Sequence, residues 1–534
     1  MLPEADSYDA LVARFRWAIP GRYNIGVDTV DKWADGSGRL ALVDVAPDGS
    51  ARDYDFDELK GLSNRLANAL VGLGARRGDR VAILLGQGAA CAIAHVAAYK
   101  AGMIALPLFT LFGEEALEYR LADSGARVLV TTASEVPKIE AIRDRLPDLE
   151  HVILADGAGS HALALADLLD RSSDAFAPVD TAAEDPALII YTSGTTGPPK
   201  GALHAHRVLL GHLPGVEMPH HFFPRTGDRF WTPADWAWIG GLLDVLLPAW
   251  HHGVPVVAHR MAKFEPEAAM ALMRDHGVRN VFMPPTALKL LRRAEVAPWL
   301  DGLRTLGSGG ESLGAELLDW GRATFRLTIN EFYGQTECNL VVATDAALTG
   351  TRPGAMGRPV PGHDVAILGE GDRPAPPGTL GRIAVRSPDP VMFLGYWNKP
   401  EATAAKFAGD WLMTGDTGTA SEDGWLTFVG RDDDVITSAG YRIGPGEIED
   451  CLIKHPAIAL AAAVGVPDPV RGQAVKAVVV LAEGHAPSDA LTEEIQAFVK
   501  TRLAAHEYPR IVEYRDSLPM TATGKVMRRN LREG

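Results

Sequence analysis

The chain has 534 residues, 47% hydrophobic and 22% charged, the balance of a soluble protein with more than one folding unit and not of a disordered one. Its 52 basic against 68 acidic residues give a net charge of -16, which argues against a general nucleic-acid binder. Three widely spaced cysteines, Cys91, Cys338 and Cys451, suit a reducing compartment, and the acidic N-terminus lacks a signal peptide, so a cytoplasmic location is expected.

From about Tyr54 helix and strand patterns alternate. Leu59, Leu62, Leu66 and Leu70 recur at helical spacing, and Gly74 sits where that helix would stop. A strand RVAILLG, a small-residue helix from Ala89 to Ala101, a strand MIALPLF, a helix around Glu114–Leu121 and a strand ARVLVTT follow. This order predicts a parallel sheet with helices on its faces. It resumes after about Asp185 with ALIIY, then with VRNVFMPP and LRTLGSGG. The most apolar stretch, Ile239 to Ala258, is broken by Asp244, two prolines and His251–His252, and no run reaches the ~18 apolar residues of a membrane span.

Beyond about Arg352 proline and glycine become frequent, and runs such as RIAVRS and WLTFVG predict a smaller β-rich subdomain. A charged run, Arg431 to Asp434, precedes a compact tail. That tail reads as helix (Glu447–Lys454), strand (AVKAVVVLA), helix (Asp489–Leu503) and strand (RIVEY). The expected class is α/β. A large N-terminal domain, residues 1–432, holds parallel-type sheets, helices and the β-rich subdomain; a small α+β C-terminal domain spans residues 433–534.

The strongest chemical signal is YTSGTTGPPKG (Tyr191–Gly201), directly after the apolar strand ALII. Glycines, hydroxyls and a lysine in one turn can present N–H groups and charge to a polyphosphate. It is not a Walker A loop, because Gly201 follows Lys200 where Ser or Thr is required. Most Gly/Ser/Thr clusters are only flexible loops; one with a lysine at the end of a buried strand is much rarer.

Further blocks are YGQTE (Tyr333–Glu337), WLMTGD (Trp411–Asp416), GRDDDVITSAGYRIGPGEIE (Gly430–Glu449) and PMTATGKVMR (Pro519–Arg528). With these in this order, essentially the whole chain resembles the adenylate-forming superfamily of acyl-CoA synthetases, peptide-synthetase adenylation domains and luciferases. YNIGVDTVDKWA near the N-terminus resembles the medium-chain acyl-CoA synthetases.

The resemblance implies a two-step ligase: carboxylate and ATP give acyl-AMP and pyrophosphate, and coenzyme A then takes the acyl group. It implies that Thr192, Ser193, Gly194, Thr195, Thr196 and Lys200 meet the ATP phosphates. Gly309, Gly310, Glu311 and Ser312, with Glu331, Phe332, Tyr333 and Gly334, would cradle the adenine end. Thr336 would bond the α-phosphate, Glu337 would hold Mg2+, and Asp416 and Arg431 would bind ribose. Lys525 would drive adenylation by neutralising charge at the α-phosphorus. The C-terminal domain would then act as a mobile lid, pivoting at Asp433. That pivot would bring Gly440, Tyr441 and Arg442, with Arg471 and Tyr508, toward coenzyme A.

The acyl pocket is expected between the DWAWIGG segment and the YGQTE loop, with Trp238, Gly240 and Gly334 on it. Acetate-specific relatives place a tryptophan where Gly334 stands, so glycine there implies room for a medium-chain, branched or aromatic acid. Two of the three tryptophans at 231, 236 and 238 read equally well as core. A short-chain synthetase and a ligase loading a carrier protein remain alternatives, and a homo-oligomer is left open. A luciferase-like oxygenase and a non-catalytic sensor fit the blocks less well. The histidine pairs have no partners at zinc-site spacing, and no base accompanies Cys338 as a nucleophile.

Overall fold

The structure, a computed structural model, describes residues 2–532 apart from 160, 193–197, 262, 295–301, 312, 433, 439–440, 470, 504–506 and 522–525. Two large sheets, each with a parallel centre, dominate. In the eight-stranded sheet, Ile104–Pro107 lies beside Arg80–Ile83, Val128–Thr131 and His151–Leu154 on one side and Pro186–Thr192 on the other. Pro186–Thr192 then pairs antiparallel with Lys200–Ala205, and that strand with Gly395–Tyr396. In the nine-stranded sheet, Phe230–Trp231, Asn280–Phe282, Thr305–Gly309 and Asn330–Gln335 run parallel, and Cys338–Ala343 turns back antiparallel at one side.

One continuous core spans both sheets. Helices Ala89–Lys100 and Val208–Glu217 carry small or apolar residues nearly all round, the pattern of helices buried on every side. Amphipathic Phe56–Gly72 lies farther out; Asp55 caps it by accepting from Glu58 N at 2.7 Å, and Gly74 at φ +89° turns the chain away. Trp231 and Trp236 are fully buried core residues, and Trp238 is only partly covered.

The β-rich part is a five-stranded antiparallel sheet centred on Gly381–Arg386 and Trp411–Ala420. A last sheet is confined to the C-terminal hundred residues, with Gly472–Leu481 at its centre, Ile458–Asp468 antiparallel on one side and Ile511–Tyr514 parallel on the other. The α/β class expected from the sequence is the one observed. Ile458–Asp468 was not expected: its alanine-rich run favours helix locally, but it pairs along its whole length with Gly472–Leu481.

Candidate active site

The site is organised around one hairpin. The strand Asn330–Gln335 turns through Thr336 and Glu337 into Cys338–Ala343, with Gln335 opposite Cys338. A two-residue turn therefore carries both polar side chains at its tip. The ladder shifts register between Tyr333 and Gln335, and the returning strand presses against Gly334. A Cβ there would lie 2.4 Å from Leu340 N and 2.6 Å from Asn339 Cα. This close approach is a structural reason for glycine at 334, separate from the room it was expected to leave for the acyl chain. Glycine stands here because backbone approaches too closely for any side chain.

Three groups of residues attach to this hairpin. On the first side, Gly309 pairs with Phe332, so the segments beginning at Gly309 and Glu331 emerge at adjacent strand ends, where open α/β sheets bind ligands. Glu331 accepts from Leu313 N at 3.2 Å, yet burial dominates and pushes its carboxyl up to about 7. Glu311 is bonded by the Thr286 hydroxyl at 3.1 Å, and Ser312 lies outside the described residues.

On the second side, the Tyr333 hydroxyl donates to Asp416 Oδ2 at 2.5 Å and Arg431 Nη1 to Asp416 Oδ1 at 2.8 Å. Asp416 and Arg431 face each other across neighbouring strands, so sheet register builds this pair. The third group is at the hairpin tip, where the Tyr396 hydroxyl donates to Glu337 and Lys200 Nζ lies 5.3 Å from the Tyr396 ring centre. Thr192 and Lys200 are paired residues at the mouth of the antiparallel strands whose connecting turn is the phosphate-loop candidate. Ser193, Gly194, Thr195 and Thr196 lie outside the described residues.

Trp238 stands where the acyl pocket was expected. A Cβ on Gly240 would lie 2.7 Å from its ring and one on Gly310 3.2 Å away, so two glycines admit the indole. Its ring centre is 5.6 Å from that of Phe282, which is 5.2 Å from Phe332. An aromatic row thus runs from the DWAWIGG segment to the hairpin.

Lys525, Asp433 and Gly440 lie outside the described residues; Met520 and Val526, bridged to each other, bracket the Lys525 segment. Tyr441 and Arg442 occupy a short strand opposite Ser438 and Thr437. Arg471 N donates to Asp468 Oδ1 at 2.8 Å, and Tyr508 lies under the cations of Lys500 and Arg510. No described contact joins these two residues.

Two residues escaped sequence reasoning. Tyr396, in GYWNKP, reads as an ordinary core aromatic. Lys406 donates to Gln335 Oε1 at 3.1 Å, Met413 O at 3.2 Å and Thr414 O at 3.3 Å, tying the hairpin to the strand that bears Asp416. A lysine just past a short helix carries no signal of such a role. Cys338 is buried; that burial, with Glu337 beside it, pushes its thiol well up and disfavours the nucleophilic thiolate. His204 and His206 are core residues, His251 bonds Asp28, and His252 bonds Glu217.

A family model described as AMP-binding enzyme matches residues 30–397, and one described as AMP-binding enzyme C-terminal domain matches residues 447–525. Acetyl-coenzyme A synthetase of Bacillus subtilis is 36% identical, over 98% of this chain and 94% of that protein. The human mitochondrial acyl-coenzyme A synthetase ACSM2B is 34% identical, over 96% and 91%. The solved structure of the anthranilate CoA ligase AuaEII with anthranoyl-AMP superposes with a TM-score of 0.87 at 30% identity, covering 96% of this chain and 97% of that one.

Proposed function

The chain belongs to the AMP-binding enzyme family and is an AMP-forming acid–CoA ligase, and from that premise we propose how its residues divide the two half-reactions and which acids it takes. The observation that carries the reading is the hairpin itself: the adenine-side strand, the Asp416–Arg431 pair and the Lys200 strand all converge on it.

In the first half-reaction the adenine lies along Gly309–Glu311 and Glu331–Gly334. Tyr333 and Arg431 each occupy one Asp416 oxygen, and a carboxylate offers about four lone-pair sites. One site on each oxygen is left for a ribose hydroxyl. Thr192, Lys200 and the turn between them hold the β- and γ-phosphates. Magnesium fits the donor set: the turn presents one carboxylate and a hydroxyl, hard oxygen groups, and Mg2+ is held by one or two carboxylates plus substrate phosphates. Among the described residues no three His, Cys, Asp or Glu side chains gather as an all-protein cage. Bound with ATP at Glu337, the ion would neutralise phosphate charge. A substrate carboxylate oxygen attacks the α-phosphorus, pyrophosphate leaves, and the Thr336 hydroxyl and Lys525 ammonium stabilise the charge that develops.

In the second half-reaction residues 433–534 turn about Asp433 and withdraw Lys525. Gly440, Tyr441 and Arg442 then line the path of the coenzyme A thiol, with Arg471 and Tyr508 toward its nucleotide. Sulfur attacks the acyl carbonyl and AMP departs. The acid is medium-chain, branched or aromatic; the partly exposed Trp238 indole, backed by the buried Phe282 ring, supports this by offering an aromatic surface to such a group. A short-chain acid is the second reading, favoured by the 36% identity to a protein named acetyl-CoA synthetase. We assign the enzyme to the cytoplasm on its three free, buried thiols.

The test is a panel of straight, branched and aromatic acids from two carbons upward, assayed for pyrophosphate release without coenzyme A and for AMP and thioester release with it. Pyrophosphate release with a subset of acids is expected. Its absence with every acid refutes the mechanism, and thioester formation on a holo-carrier protein but not on coenzyme A refutes the choice of acceptor.

A further inference from the structure

We infer that Tyr396 is a positioning residue for the metal carboxylate: its hydroxyl fixes one oxygen of Glu337 while its ring lies under the Lys200 ammonium. One side chain thereby sets the spacing between the two groups that meet the ATP phosphates. The inference rests on the assignment of Glu337 to Mg2+ made above.

Tyr396 and Glu337 are 7% and 6% exposed, so their hydrogen bond is shielded from water. The ring and its backbone are both held by neighbours. Phe393 meets it edge-on at 5.0 Å, and Tyr396 N donates to Thr403 Oγ1 at 2.8 Å. Phe393 N in turn donates to the Glu337 carbonyl at 2.9 Å, so both ends of Glu337 are held from this segment.

The placement is set by sheet pairing. Tyr396 lies opposite Ala202, and Trp397 N donates to Gly201 O at 2.7 Å, so it extends the strands that carry the phosphate loop. Glu337 comes from the other large sheet. Tyr396 therefore joins the two sheets at the point where phosphate and metal must be held together. With Oε1 engaged, the other Glu337 oxygen is presented in a fixed direction. Hydrogen bonds of this kind orient metal ligands, and losing one typically costs about 10–100-fold in metal affinity or activity.

Two variants separate the hydroxyl from the ring. Tyr396→Phe keeps the ring and removes the donor; Tyr396→Leu removes both. The readouts are the Mg2+ midpoint for pyrophosphate release and, independently of turnover, Mn2+ binding by electron paramagnetic resonance with α,β-methylene-ATP. Tyr396→Phe is expected to raise both midpoints about 10–100-fold, with kcat restored at saturating Mg2+. Tyr396→Leu is expected to raise the KM for ATP as well, because Lys200 loses its aromatic support; a KM equal to that of Tyr396→Phe overturns the part assigned to the ring. In a Glu337→Gln background Tyr396→Phe should add nothing, since the effect passes through Glu337. Unchanged midpoints in Tyr396→Phe, or a kcat loss that metal does not restore, overturn the inference. A wild-type midpoint in Glu337→Gln alone overturns the Glu337 assignment instead.

Discussion

Replacing Glu331 with glutamine should remove a pH-dependent contribution to stability from the strand that carries the adenine-side residues. The carboxyl is 9% exposed and accepts from Leu313 N at 3.2 Å. Burial raises its pKa from 4.5 to about 7. The folded value lies above the unfolded one, so the folded chain holds the proton more tightly. Its stabilisation is therefore complete below about pH 4.5 and is lost as pH rises through about 7. At about 1.4 kcal/mol per pKa unit, the loss between pH 5 and pH 8 is about 2.5 kcal/mol. Glutamine does not titrate and keeps an oxygen for Leu313 N. Urea unfolding followed by tryptophan fluorescence, with both proteins at pH 5 and pH 8, reads the difference. Relative to wild type, Glu331→Gln should gain about 2.5 kcal/mol on going from pH 5 to pH 8. Parallel pH profiles would refute the argument that burial keeps this carboxyl protonated.

Lys525→Ala should lower pyrophosphate release by about 10²–10³-fold while preformed acyl-AMP is still converted to thioester; equal loss of both half-reactions would sink the division of labour. Gly334→Ala should lower kcat/KM on the order of 10²-fold for all acids alike, because the added Cβ meets Leu340 N at 2.4 Å and displaces the turn bearing Thr336 and Glu337. A loss confined to long acids would return Gly334 to the pocket wall. Trp238→Ala should raise the kcat/KM ratio of bulky to small acids by about 10-fold, and an unaltered ratio would place the acyl group elsewhere.

The family was legible in the sequence because each of its blocks is contiguous and the blocks follow one another in order. A lysine among glycines and hydroxyls at the end of an apolar strand can be read without knowing what it touches. The helix Phe56–Gly72 was equally legible, since its leucine spacing and its stop at Gly74 are local features. The strand Ile458–Asp468 was not, because its partner strand overrides what its alanines favour.

Composition, the family blocks and the alternation of helix and strand in the N-terminal part were therefore determined by the sequence alone. Tertiary structure decided the contacts: that Tyr396, 59 residues from Glu337, is its donor, that Tyr333 reaches Asp416 across 83 residues, and that the returning strand lies close against Gly334. Such contacts follow from the register of strands distant along the chain. That register is set by the packing of whole sheets, which no short stretch of sequence encodes.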